Sequence, residues 1–123
     1  MQSKMDVIRE LMKATEAQDD EAFLSFLTDD IEYHYHVGSR PLNGKDWVRK
    51  FMSKYREIAA DVKWRIDRHA ESGDHLFVEG YEEYRDTRTG DMIAHPYMGI
   101  FEFRDGKIAA WRDYFEMNQK KAD

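Results

Sequence analysis
Asp113 is the residue whose position most demands a chemical explanation. Residues 99–117 read as two strands joined by an Asp105-Gly106 turn. Side chains alternate with period two along a strand, so Trp111, Asp113 and Phe115 share one face of the second strand. A carboxylate between two large apolar side chains is costly to bury unless it is paired or works as an acid or base. A second group of chemically capable side chains lies in Tyr33-His34-Tyr35-His36, where alternation puts the two imidazoles on one face and the two phenols on the other. Imidazoles titrate near neutral pH, which suits acid–base work. His34, His36 and His95 with Glu82 or Asp113 also have the types of a histidine–carboxylate metal site, but no tight motif such as His-Glu-x-x-His accompanies them. No metal and no other cofactor is expected.

Each of these residues has a plainer reading. Asp113 would serve structure alone by pairing with a histidine. Glu82 lies in Tyr81-Glu82-Glu83-Tyr84, where a slip of one residue exchanges the inner and outer faces. His34 and His36 would equally suit an edge strand.

The bulk properties narrow the setting. The chain has 123 residues, 41% of them hydrophobic and 14% aromatic, a globular composition that favours one domain over residues 1–123. A chain of this size buries roughly two-thirds of its unfolded surface, enough for one core. Charged residues make up 36% and the net charge is −6, with no basic stripe to attract nucleic acid. There is no cysteine, so disulfides, thiolate metal sites and cysteine nucleophiles are excluded. No apolar run approaches the roughly 20 residues of a membrane span, and the N-terminus lacks a signal-peptide core. A cytoplasmic protein with no membrane partner is expected.

Helical spacing marks residues 4–17, through Met5, Ile8, Leu11 and Met12, and a short second helix over 20–27 with Asp20 as its N-cap. Asp29-Asp30 ends that helix, and residues 31–37 alternate as a strand. Residues 38–44 form a loop around Pro41. A third helix spans 45–59, with Trp47, Val48, Phe51, Met52 and Tyr55 on its apolar stripe; these are expected in the core. The period then changes to two, in strands over 62–70, 76–85, 92–103 and 107–117, and the polar residues 118–123 are expected to fray. Helices followed by a run of antiparallel strands argue for an α+β domain with helices on one face of a curved sheet.

This order, together with Gly99-Ile100-Phe101 and Trp111-Arg112-Asp113-Tyr114-Phe115-Glu116, resembles the limonene-epoxide-hydrolase branch of the SnoaL-like, nuclear-transport-factor-2-like superfamily. A weaker likeness, Val37-Gly38-Ser39-Arg40-Pro41-Leu42-Asn43-Gly44, is similar to a loop of ketosteroid isomerases and SnoaL-like cyclases. The resemblance implies a cone: a curved mixed sheet wrapped around about three N-terminal helices, with an internal pocket at the wide end. It further implies that Asp113 is a general base activating water, and that Glu82 stands where the family keeps the acid protonating an epoxide oxygen. His34 and His36 fall where the family holds the water. His95 and Tyr97 fall on pocket-wall positions. The family's bridging Arg between the two carboxylates would fall at Gly80, a departure that leaves Glu82 and Asp113 without a cation between them. Tyr35 stands where the isomerases keep their catalytic Asp.

The function expected is cofactor-free acid–base chemistry on a small apolar molecule, of the epoxide-hydrolase or the isomerase and cyclase type. Tyr84, His95, Tyr97, Trp111 and Phe115 would contact the substrate. The rival expectation is a non-catalytic ligand-binding or dimerisation module of the same fold. The resemblance implies a homodimer, and Phe77, Tyr81 and Tyr114 supply a sheet face without a covering layer.

Overall fold
Residues 2–116 are described by a computed structural model. Met117 and the 118–123 segment expected to fray lie outside them. The elements run α1 (Lys4–Ala17), α2 (Asp20–Ser25), β1 (Leu27–His34), β2 (Leu42–Asn43), α3 (Lys45–Ile58), β3 (Ala59–Ser72), β4 (His75–Asp86), β5 (Met92–Arg104) and β6 (Lys107–Tyr114). The strands form one sheet in the order β2-β1-β6-β5-β4-β3. β1 and β6 are parallel and the other neighbours antiparallel, so the sheet is mixed. It is curved and does not close into a barrel. This is the α+β fold expected. Among the described residues no helix is long and apolar enough to cross a membrane.

Local chemistry sets the boundaries. Ser3 caps α1 in a reciprocal capping box: the Asp6 amide donates to Ser3 Oγ at 3.0 Å and the Ser3 amide to Asp6 Oδ2 at 3.2 Å. The α1 stripe Met5, Ile8, Leu11 and Ala14 is buried. Asp19, not Asp20, caps α2, accepting from the Ala22 amide at 3.1 Å. β1 starts earlier than the alternation indicated, at Leu27, and Asp29-Asp30 lies inside it instead of ending the helix. A register shift between Leu27 and Glu32 accommodates the two aspartates, which are exposed and pair with Lys45 and Arg104. Leu27 and Ile31 stay buried.

α3 departs from expectation in what it faces. Val48 alone of its described residues is fully buried. Trp47 is 57% exposed, with the Lys50 ammonium 4.6 Å from its ring centroid. Phe51, Met52 and Tyr55 are half-buried and border a cavity. The packed core lies at the other end of the cone, where Ile8, Leu11, Leu24, Leu27, Leu76 and Phe101 are sealed from solvent.

Candidate active site
Three neighbouring strands build the inner wall. On β4 the buried face runs Leu76, Val78, Gly80 and continues to Glu82 and Tyr84; on β5 it runs Phe101, Gly99, Tyr97, His95. Register pairs Glu82 with His95, Gly80 with Tyr97, and Gly99 with Asp113 of β6. Each strand passes from apolar to polar side chains as it leaves the core. Beyond that point lies a cavity of about 560 Å³, roofed by α3 and lined by aromatic rings. Glu82, Tyr84, His95, Tyr97, Trp111, Asp113, Phe115 and His36 all border it.

Asp113 is 9% exposed. Its Oδ1 accepts from Trp111 Nε1 at 2.8 Å. Burial pushes its pKa well above the ordinary carboxylate range, the indole hydrogen bond opposes this, and the charge of Glu82 raises it further. Gly99 makes room for the group: a Cβ there would lie 2.9 Å from Asp113 Oδ1. The absence of a side chain on β5 thus lets the carboxyl occupy the wall.

Glu82 has a different setting. Tyr55 Oη, from α3, donates to its Oε1 at 3.0 Å, and His95 stands across the strand pair. Burial raises its pKa, while the charge of His95 and the Tyr55 hydrogen bond both favour its ionised form. Burial also holds the phenols of Tyr33, Tyr55 and Tyr97 protonated, and Tyr55 uses its proton to donate to Glu82. One of them, Tyr97, accepts from the Trp64 indole. The inward reading of Glu82 is therefore the one observed.

Gly80 has a backbone explanation. β3 shifts register between Ile66 and Arg68, and a Cβ on Gly80 would fall 1.9 Å from the Arg65 carbonyl oxygen. No side chain fits, so a bridging arginine at this position is excluded by main chain rather than merely substituted.

The histidine pair divides. Tyr33 and Tyr35 face the cavity from this segment, and of the two imidazoles His36 borders it. His34 points elsewhere, its Nε2 bonded to Glu32 Oε1 at 2.6 Å, and it does not border the cavity. The phase is reversed over Tyr33-His34-Tyr35, and the expected sharing of one face by His34 and His36 does not hold. His36 reaches the cavity because β1 ends at His34 and alternation stops there. Its Nε2 lies 2.8 Å from the Phe115 carbonyl, which fixes Nε2 as the donor and leaves Nδ1 a buried acceptor without a partner among the described residues. His95 Nδ1 lies 3.2 Å from the Pro96 carbonyl, and both imidazoles contact the Phe115 ring at 4.7 Å. Among the described residues no group of three or more His, Asp or Glu side chains converges to hold a metal ion.

Several cavity residues escaped the sequence reading. Tyr35 stacks on Phe51 at 4.7 Å, Phe51 on Tyr55 at 6.0 Å, and Trp64 on Trp111 at 5.8 Å. Tyr33 lies 4.5 Å from Trp111. The helical spacing of Phe51 and Tyr55 signalled an inward face, and that signal does not distinguish a filled interior from a hollow one.

Comparison with known proteins agrees with this architecture. An NTF2-like protein of unknown function from Burkholderia pseudomallei superposes with a TM-score of 0.85 at 21% identity, covering 94% of this chain and 92% of that one. An LEH-like epoxide hydrolase from M. tuberculosis gives 0.78 at 22% identity, covering 90% and 80%. TerC, co-crystallised with polyporic acid, gives 0.81 at 21% identity, covering 91% and 90%. At these identities the likeness is one of fold. The SnoaL-like domain family matches residues 8–111, most of the chain, and the protein belongs to that family.

Proposed function
We propose that this protein is a cofactor-free acid–base enzyme acting on a small, largely apolar molecule. The observation that carries the reading is the pair of carboxyl groups, Glu82 and Asp113, on the inner wall of a cavity rich in aromatic side chains. Their surroundings differ in the direction that acid–base work requires. Glu82 has a phenol donor and an imidazole to hold its charge, whereas Asp113 has one indole donor and a carboxylate neighbour. We therefore take Glu82 as the resting carboxylate and Asp113 as the proton donor, exchanging the roles that the family resemblance implies. His36 and His95 orient water or substrate, and Tyr84, Tyr97, Trp111 and Phe115 form the apolar wall.

Epoxide hydrolysis is the first reaction type. Glu82 accepts a proton from water as the water oxygen bonds to an epoxide carbon. That carbon's bond to the ring oxygen breaks, and Asp113 gives the oxygen its proton, yielding a diol. Proton transfer from Glu82 to Asp113 through solvent restores the enzyme. Isomerase- or cyclase-type proton shuttling would use the same pair. The second reading, a ligand-binding module without turnover, draws support from Gly80, which leaves the pair without a bridging cation.

The test is diol formation from a panel of small and terpene-like epoxides, wild type against Asp113→Asn and Glu82→Gln. Turnover lost by about 10²-fold or more in either variant supports the enzyme, the usual size of a general acid or base contribution. Absence of diol from every epoxide removes the hydrolase type. We also propose a homodimer through the outer sheet face, where Met98 and Tyr114 are cross-strand neighbours 51% and 43% exposed. Sedimentation of a monomer at micromolar concentration contradicts it.

A further inference from the structure
The polar groups of the cavity are unbalanced in charge. Glu82 and Asp113 face it from within, and the charge of Glu82 raises the cost of ionising Asp113 in the same low-dielectric space. Among the described residues lining the cavity, the one Lys or Arg is Arg56. It is exposed, and its guanidinium is engaged by Asp20 and the Gln18 carbonyl. Each cavity imidazole has one ring nitrogen committed to the main chain: His36 donates from Nε2 to the Phe115 carbonyl and His95 from Nδ1 to the Pro96 carbonyl. Asp113 Oδ1 is bonded to Trp111, and its second oxygen has no donor among the described residues. The backbone contact at Gly80 forbids an arginine there to supply the charge.

Aromatic rings cover much of the remaining wall. Electron-rich faces of Tyr, Trp and Phe attract cations, most strongly where water is excluded. A buried carboxyl pair within an aromatic box matches a positively charged group carrying hydrogen-bond donors and an apolar body. We propose that the cavity binds an organic cation, a small protonated amine with an apolar or aromatic body, whose ammonium group lies between Glu82 and Asp113. The amine supplies a positive charge that no Lys or Arg of the described inner wall places there, and the acidic interior rejects acids of similar shape.

This inference rests on the cavity being the small-molecule site proposed above, and it names the class of molecule. The test compares three probes of like shape at pH 7: 2-phenylethylamine, 2-phenylethanol and phenylacetate. Each is titrated into the full chain and followed by the fluorescence of the cavity tryptophans Trp64 and Trp111. The amine is expected to bind at least about ten-fold more tightly than the alcohol, with phenylacetate weakest, a difference appropriate to a charge-assisted contact. In Glu82→Gln and Asp113→Asn the amine's advantage is expected to shrink while alcohol binding persists. Equal binding of amine and alcohol overturns the cation class and leaves the acid–base reading standing. Tightest binding of phenylacetate does the same. Failure of all three probes to bind overturns both. The ranking in the wild-type protein decides the matter even where a substitution prevents folding.

Discussion
The two ends of the cone are made from the same strands and solve opposite problems. At the closed end Leu76, Val78, Phe101 and Ile108 meet Ile8, Leu11, Leu24 and Leu27 in a packed interior sealed from solvent. At the wide end the same inward faces carry Glu82, His95 and Asp113, and α3 stands off across a cavity of about 560 Å³. The closed end lowers the free energy of the fold, because close packing recovers dispersion and hydrophobic energy together. The wide end costs stability, since it keeps carboxyl groups away from water and leaves aromatic faces uncovered. A change at one end should therefore alter a different property from a change at the other.

The largest effect on stability is expected at the closed end. Phe101→Ala should destabilise by about 3–5 kcal/mol, the range for a sealed aromatic side chain. Asp113→Asn, made on the next strand at the cavity wall, should leave the thermal midpoint at neutral pH unchanged or higher. It replaces an acid whose ionised form is disfavoured by burial. Thermal unfolding of the two variants side by side checks the contrast, and equal losses would erase it.

Gly80 lies at the boundary between the two ends. Gly80→Ala should cost about 2–3 kcal/mol, because the new Cβ meets the Arg65 backbone and not a flexible side chain. A neutral result in chemical denaturation would mean that β3 moves freely, and that the exclusion of arginine is only apparent. A smaller effect is expected at Tyr55. Tyr55→Phe removes the donor to Glu82 Oε1 and should cost about 1 kcal/mol of support for the ionised form. The acidic limb of a pH–rate profile should then move upward, and an unmoved limb would separate Glu82 from the chemistry.

The last effect concerns pH. Asp113 is held above its ordinary value in the folded state, so between the two values the native protein binds more protons than the unfolded chain. Its contribution to stability is full below the ordinary value and is lost as pH rises through the raised one. Glu82 acts in the same direction. The difference in unfolding free energy between wild type and Asp113→Asn should therefore become less favourable to wild type as pH rises above about 4. A difference that stays flat across that interval would contradict the raised value.

How much of this was legible in the sequence follows the same division. The closed end and the strand order were readable because helical and period-two patterns report which residues turn inward. The face of β6 was readable from the alternation of Trp111, Asp113 and Phe115 itself, even though a register shift at Glu102/Phe103 separates that stretch from the Asp105-Gly106 turn. The first strand was not readable in that way. Tyr33-His34-Tyr35-His36 alternates equally well in either phase, and the strand's end at His34 then brought His36 round beside Tyr35. Phe51 and Tyr55 were placed in the core because an amphipathic stripe reveals a direction and not a distance. The reason for Gly80 was hidden for another cause: it lies in a register shift of the neighbouring strand, 14 positions away in the pairing Ile66–Gly80.

The central claim is that the wide end holds two carboxyl groups in unlike protonation states, ready to exchange protons with a substrate. It is tested most directly by carboxyl ¹³C NMR titration of the labelled protein, with Glu82→Gln and Asp113→Asn used to assign the two resonances. The account predicts that the Asp113 carbon titrates well above the ordinary carboxylate range and above Glu82. An Asp113 resonance titrating near its ordinary value of about 3.9, or below that of Glu82, would contradict it.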